Sequence, residues 1–320
     1  MSSLKKYFSP SVYGRYALRL LNIKVLHFLD LALSPGHENR LEQPPIFIIG
    51  PPRSGSTLLF QVLTDAFNFA YLSNRHCQFF GAPALAEQYF VTVNKKKPSD
   101  YTSLHGKTTS PTEPSECGDW WYRFFRRNPA YVTLQDIDEK RMYNFRKSLH
   151  AFTKVAGKPV LFKNLYASLR LEPLSKYVPE ALYIVVRRNE FYNAASILAG
   201  RKKTLGTYEN WWSVPPPGVE ELKKKSPCKQ VVGQIRAIYS EIDRVVACKY
   251  IKKDRVLWLE YEDYCRNTYS MIEKVDKFFR SNGLKIDRRF EVPRSFKISD
   301  KLQISESLVK ELQELCRKPV

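Results

Sequence analysis

Residues 46–67 read Ile46-Phe-Ile-Ile49-Gly50-Pro-Pro-Arg53-Ser-Gly55-Ser-Thr57-Leu-Leu-Phe-Gln-Val-Leu-Thr-Asp-Ala-Phe67. The four apolar residues at the front have no polar alternation, the mark of a strand buried on both faces of a parallel sheet. A Gly/Pro turn follows. Leu58, Leu59, Val62, Leu63, Ala66 and Phe67 then recur on one helical face. Strand, glycine turn and helix make the opening βα unit of an α/β fold. The turn spans Gly50 to Thr57 and matches the phosphate-loop pattern G-x-x-x-x-G-[K]-[ST], except that Ser56 stands where lysine is usual. Backbone N–H groups at a helix N-terminus still converge on an anion, and Gly55 still allows close approach. Arg53, inside the loop, supplies the missing cation.

Three further runs read as buried strands: Val160–Phe162, Leu182–Val186 and Val256–Leu259. Helical patterns accompany them over Phe191–Ala199, Val231–Ile251 and Asn267–Arg280, the last with Asn267 as N-cap and Gly283 just past its end. Alternating strands and helices predict a central parallel sheet covered on both faces, a three-layer α/β sandwich. Residues 70–135, rich in Trp, Pro and loops, are expected to build a pocket over the C-terminal ends of the strands.

A second anion site is expected where Leu182–Val186 ends. Arg187 and Arg188 emerge there, and Ser196 follows Arg188 by eight residues. A guanidinium fork and a hydroxyl suit a phosphate monoester.

The 320 residues carry a net charge of +20, which attracts nucleotides, anionic lipids, acidic glycans or nucleic acid without choosing among them. The 19 Phe, 19 Tyr and 5 Trp exclude disorder as the general state. Six scattered cysteines form no C-x-x-C pair, so neither zinc nor a disulfide framework is expected. No signal-peptide pattern and no N-x-Ser/Thr sequon appear, and a reducing, cytoplasmic compartment is expected. Tyr16–Leu33 reads as an amphipathic helix interrupted by charge. Packing on the domain is its expected placement, and a peripheral position at the inner membrane surface is the alternative. Residues 1–43 are read as this helix with its linker, and residues 44–320 as the main domain.

Taken together in order, these blocks resemble the sulfotransferases that use 3′-phosphoadenosine 5′-phosphosulfate (PAPS). In that family a P-R-S-G-[ST]-T loop holds the 5′-phosphosulfate, here Pro52, Arg53, Ser54, Gly55, Ser56 and Thr57. A strand ending in Arg with Ser eight residues later holds the 3′-phosphate, here Arg188 and Ser196. A Y-E-D-L segment places a tyrosine near the adenine, here Tyr261 in Leu259-Glu-Tyr-Glu-Asp-Tyr264. Segments such as Tyr71–Asn74, Ser110–Glu116, Phe162-Lys163-Asn164 and Ser196–Arg201 are similar to bacterial sulfotransferases of surface polysaccharides.

The resemblance implies the P-loop-like sulfotransferase fold and transfer of a sulfuryl group from PAPS to a hydroxyl or amine of a glycan or glycolipid, with adenosine 3′,5′-bisphosphate (PAP) as product. It implies no metal and no specific nucleic-acid partner. Arg53 would stabilise the departing phosphate, and Lys163 would add a second cation unless it is a surface lysine at a strand end. The R-K-G motif that the family's small-molecule branch carries near its C-terminus is missing, and Arg294, Ser295 and Lys297 are the substitutes. A general base is sought among His76, His105, Glu113 and Glu116. His76 is favoured by position after the loop, and Glu116 by its place before Trp120-Trp121, whose aromatic faces could hold a sugar ring. Two other readings remain open: a P-loop kinase requiring Mg²⁺ and ATP, and a non-enzymatic basic protein binding polyanions.

Overall fold

β1 (Ile46–Ile49) is one of two inner strands of a four-stranded, wholly parallel sheet, although it comes first in the chain. β2 (Leu161–Lys163) flanks it on one side and β3 (Leu182–Arg187) on the other, and β4 (Val256–Glu260) lies beyond β3, giving the order β2-β1-β3-β4. The structure, a computed structural model, describes residues 10–32, 41–90, 96–103 and 106–317. The register sets Ile46 beside both Leu161 and Leu182, and Arg187 beside Glu260.

Alternation along β1 explains its unbroken apolar run. Ile46 and Ile48 join one core layer with Leu59, Leu63 and Phe279, whereas Phe47 and Ile49 face the other with Trp121, Phe145 and Phe162. Each layer needs side chains from every second residue, so a strand between two layers has no polar position. The three-layer sandwich expected from the alternation is the fold observed.

Strand positions agree with the sequence reading to within one residue. The helices are longer or displaced: Glu190–Leu205, Pro227–Ala247 and Thr268–Ser281. Asn267 does cap the last, its side chain accepting from the Ser270 N–H, and Gly283 lies beyond the end with φ of 77°. Glu139–Ala156, an 18-residue helix, had no counterpart among the expected elements.

The linker expected to close the segment 1–43 falls largely outside the described residues. The N-terminal helix runs from Pro10 to Ala32, with a π turn over Asn22–Leu26. Among the described residues no helix is long and apolar enough to cross a membrane.

All four strands point their C-terminal ends the same way. The loop after Ile49, Asn164 after Lys163, Arg188 after Arg187 and Tyr261 after Glu260 therefore meet along one edge, where open α/β sheets bind ligands.

Candidate active site

The loop Gly50–Gly55 is held from behind through its carbonyls. Ser168 Oγ donates to Gly50 O (3.3 Å), Asn193 Nδ2 to Pro52 O (2.8 Å), Arg188 Nη1 to Arg53 O (2.8 Å) and Tyr264 Oη to Gly55 O (2.8 Å). With these oxygens occupied, the loop presents amides and the N-terminal end of helix Ser56–Ala66, whose first N–H groups have no intrahelical acceptor. Two buried donors fit an anion here: Ser54 Oγ and Arg188 Nε, neither of which has a partner among the described residues.

The turn depends on unusual backbone. Arg53 has φ of 63° and Gly55 φ of 96°, and a Cβ on Gly55 would lie 2.2 Å from the Tyr261 ring and 2.5 Å from Tyr264 Oη. Gly55→Ala is therefore expected to destabilise the fold by about 2 kcal/mol or more, combining left-handed strain with overpacking. Chemical denaturation measures this, and an unchanged midpoint would show that the tyrosines yield.

Two adjoining cavities open from the loop. One, about 690 Å³, is lined by Arg53 and Gly55–Leu58 with Lys107, Glu116, Arg127, Lys163 and Trp212. The other, about 440 Å³, is lined by Arg188, Ser196, Lys203, Lys297 and Lys301, together with Arg53 and polar residues. Among the described residues no carboxylate lines the second. Arg53, Arg188, Ser103 and Ser299 belong to both, so the cavities form one elongated cleft with cations throughout.

Arg53 is the hinge of this cleft. Its Nε donates to Ser196 Oγ at 3.1 Å. Burial, and then the Arg188 guanidinium, hold its pKa below the ordinary arginine value. Arg188 stacks on the Tyr261 ring, with its Cζ 4.7 Å from the centroid, and also donates to Ser299 O. Arg187, the other member of the expected fork, turns away and lies 4.3 Å over Trp258. Successive residues leaving a strand point to opposite faces, so only one could enter the cleft.

Lys163 is buried rather than a surface residue. Its Nζ donates to Thr57 Oγ1 at 3.1 Å and pairs with Glu116. Loop hydroxyl, lysine and glutamate thus form one chain across the larger cavity.

Among the described candidate bases, Glu116 is the one that lines the cavity. His76 is not brought there: its Nδ1 faces Ser73 Oγ at 2.7 Å, its Nε2 faces Glu87 at 2.9 Å, and the ring packs on Phe152. The expectation of a base at 76 is corrected on that ground. Glu113 is likewise structural, accepting from Gln61 Nε2 at 2.9 Å, and His105 lies outside the described residues.

Trp120 and Trp121 correct a second expectation. Both are fully buried against Phe145 and Phe162 and offer no face to a sugar. Tyr122, the next residue, does line the cavity. Of the C-terminal substitutes, Lys297 reaches the smaller cavity, whereas Arg294 packs over Tyr269.

Sequence reasoning missed Asn193, Ser168, Lys203 and Lys301. Asn193 had a signal, a polar residue inside an apolar helical stretch, where burial demands a hydrogen-bond partner. Among the described residues no group of three or more His, Cys, Asp or Glu is arranged to hold a metal ion. All six cysteines are free.

A family model described as "Sulfotransferase family" matches residues 44–282. The chain belongs to the sulfotransferase family. Two relatives of this sulfotransferase, both omega-hydroxy-beta-dihydromenaquinone-9 sulfotransferase Stf3, come from Mycobacterium bovis and Mycobacterium tuberculosis. Each is 22% identical over 284 residues, covering 73% of this chain and 71% of the relative. Among solved structures, sulfotransferase STF9 from Mycobacterium avium superposes with a TM-score of 0.53 at 14% identity, covering 84% of this chain and 73% of that one. Sulfotransferase STF1 from M. tuberculosis gives 0.52 at 17% identity, covering 94% and 84%. These likenesses confirm the sulfotransferase fold that the resemblance of the sequence blocks implied.

Proposed function

We propose that this sulfotransferase moves a sulfuryl group from PAPS to a hydroxyl, or an amine, of a glycolipid or related glycan acceptor. The observation that carries the reading is the bipartite cleft: two cation-lined cavities sharing Arg53 and Arg188. PAPS is anionic at both ends of one adenosine. Its 5′-phosphosulfate suits the loop amides with Ser54, Gly55, Ser56 and Thr57. Its 3′-phosphate suits Arg188, Ser196, Lys203 and Lys297, and Tyr261 offers a ring for the base.

In the reaction the acceptor oxygen forms a bond to sulfur while the bond from sulfur to the 5′-phosphate oxygen breaks. The electron pair leaves on the phosphate of PAP, and the hydroxyl proton passes to Glu116. Arg53 and the loop amides meet the charge gathering on the departing phosphate, and Lys163 meets the sulfuryl oxygens. Such catalysis is mainly positioning and preorganised positive charge.

A neighbouring groove supports a sugar-bearing acceptor. It shares Arg127, Tyr166 and Ser213 with the larger cavity and continues along Tyr131, Trp211 and Pro215–Pro217. Rigid aromatic and proline surface flanked by arginine suits sugar rings with anionic groups. The Stf3 relatives are named for a hydroxylated menaquinone, an alcohol on an apolar molecule, which supports an acceptor with a lipid portion.

The test is nucleotide choice. PAP should raise the melting temperature by several degrees at concentrations where ATP with Mg²⁺ does little. Arg188→Ala should weaken PAP binding by about 10- to 100-fold, the loss of a charged hydrogen-bonding partner. A larger shift with ATP–Mg²⁺ would favour the kinase reading and overturn this one.

A further inference from the structure

The N-terminal helix is built inside out. Leu18, Asn22, Leu26 and Asp30, four residues apart, form its buried or half-buried row, with His27 and Leu31 half-buried beside them. An α-helix of 3.6 residues per turn would rotate such a row off the contact, and the π turn over Asn22–Leu26 keeps it in line. The fully buried members are polar. Asn22 Nδ2 donates to Gln78 O at 2.9 Å, and Gly81 N donates to Asn22 Oδ1 at 2.6 Å. Asp30 accepts from Arg123 at 3.1 Å and from Ser148.

Most of its large apolar side chains face outward instead. Phe28 and Tyr16 are 66% and 63% exposed, with Leu20, Ile23, Val25 and Leu29 exposed beside them. Hydrophobic burial against the domain would select the reverse arrangement. Nor can the helix roll over to hide this surface. A Cβ on Gly81 would sit 2.3 Å from Asn22 O, and Asp30 is locked to Arg123.

Charge identifies the occupant. Arg15, Arg19 and Lys24 are exposed among these apolar residues, and the helix's one carboxylate, Asp30, is buried. An apolar stripe studded with cations, on a chain of net charge +20, complements an anionic lipid surface. A second copy would instead bring like charge against like.

The helix also adjoins the active site. Arg19 pairs with Asp119 at 3.1 Å, and Asp119 and Cys77 line the larger cavity. We propose that residues 14–29 dock flat on an anionic membrane, holding the acceptor cavity beside the bilayer. The docking itself does not require the sulfuryl-transfer reading. Only its consequence, delivery of a lipid-borne acceptor, rests on that reading.

Co-sedimentation with lipid vesicles tests it without nucleotide or acceptor. The full chain is expected to pellet with vesicles of equal parts phosphatidylglycerol and phosphatidylcholine. Ile23→Glu with Phe28→Glu should lower the partition coefficient at least ~10-fold. Lys24→Glu should lower it roughly 10-fold on these vesicles and little on pure phosphatidylcholine. Thermal melts of both variants should match the parent, since the substituted side chains face outward. A parent protein that stays in the supernatant overturns the proposal. A parent that sediments as a dimer, broken by Ile23→Glu with Phe28→Glu, with no vesicle binding, assigns the face to a second copy instead.

Discussion

Arg53→Ala is expected to lower kcat/KM by about 100- to 1000-fold while leaving the unliganded protein at least as stable as the parent. The first half follows from position. Arg53 sits in both cavities, donates to Ser196 and is held by Arg188 through its own carbonyl. A cation fixed there meets the negative charge developing on the leaving phosphate without reorganising, the condition under which one donor is worth about 3–4 kcal/mol. The second half follows from the same geometry. Arg53 is crowded by burial and by the Arg188 guanidinium, which lower its pKa, and among the described residues no carboxylate lines the smaller cavity to compensate. Removing it relieves that repulsion in the empty site.

The two effects should therefore separate in a melting experiment. The variant's melting temperature without nucleotide stays level or rises, and the increment produced by PAP shrinks. Lysine at 53 should restore part of the rate, because charge returns without the guanidinium geometry. Near-normal turnover in Arg53→Ala would sink the assignment. A variant that simply unfolds would refute the claim of relieved strain.

The sheet was legible because its residues answer to one constraint. Ile46–Ile49 must be apolar on both faces, so it announces a buried parallel strand without any knowledge of its neighbours. The loop was legible for a similar reason, since Gly55 has no room for a Cβ. Strand order was not legible, because nothing local to Leu161–Lys163 records that it pairs with β1 rather than β4.

The pocket walls were hardest to read. His76 and Glu116 are both polar residues in a loop-rich stretch, and distance along the chain does not tell which wall each joins. His76 is consumed by Ser73 and Glu87, while Glu116 reaches Lys163. Trp120 and Trp121 misled in the opposite sense. Aromatic side chains serve cores and sugars equally well, and only packing on Phe162 decides between them.

Glu116→Gln should give the other large effect, a fall in kcat of about 100- to 10,000-fold, with PAP affinity nearly unchanged. The amide has the size of the carboxylate and can still accept from Lys163, so the Thr57–Lys163 side of the cavity keeps its arrangement. What it cannot do is take a proton. A base that must be ionised gives the parent enzyme an acid limb in its pH–rate profile, rising as the carboxylate forms. In Glu116→Gln the residual rate should lose that limb, because the group that produced it no longer titrates.

His76→Ala provides the contrast. It removes a buried partner of Glu87, so it should lower the melting temperature, yet any folded fraction should keep the parent's limb. The assignment fails if the limb persists in Glu116→Gln, or if it vanishes in His76→Ala while Glu116 is intact. Lys163→Ala separates the remaining roles. Loss of a cation at the sulfuryl group should depress kcat at every pH. An unchanged kcat would mean that the lysine has no part in meeting the sulfuryl charge.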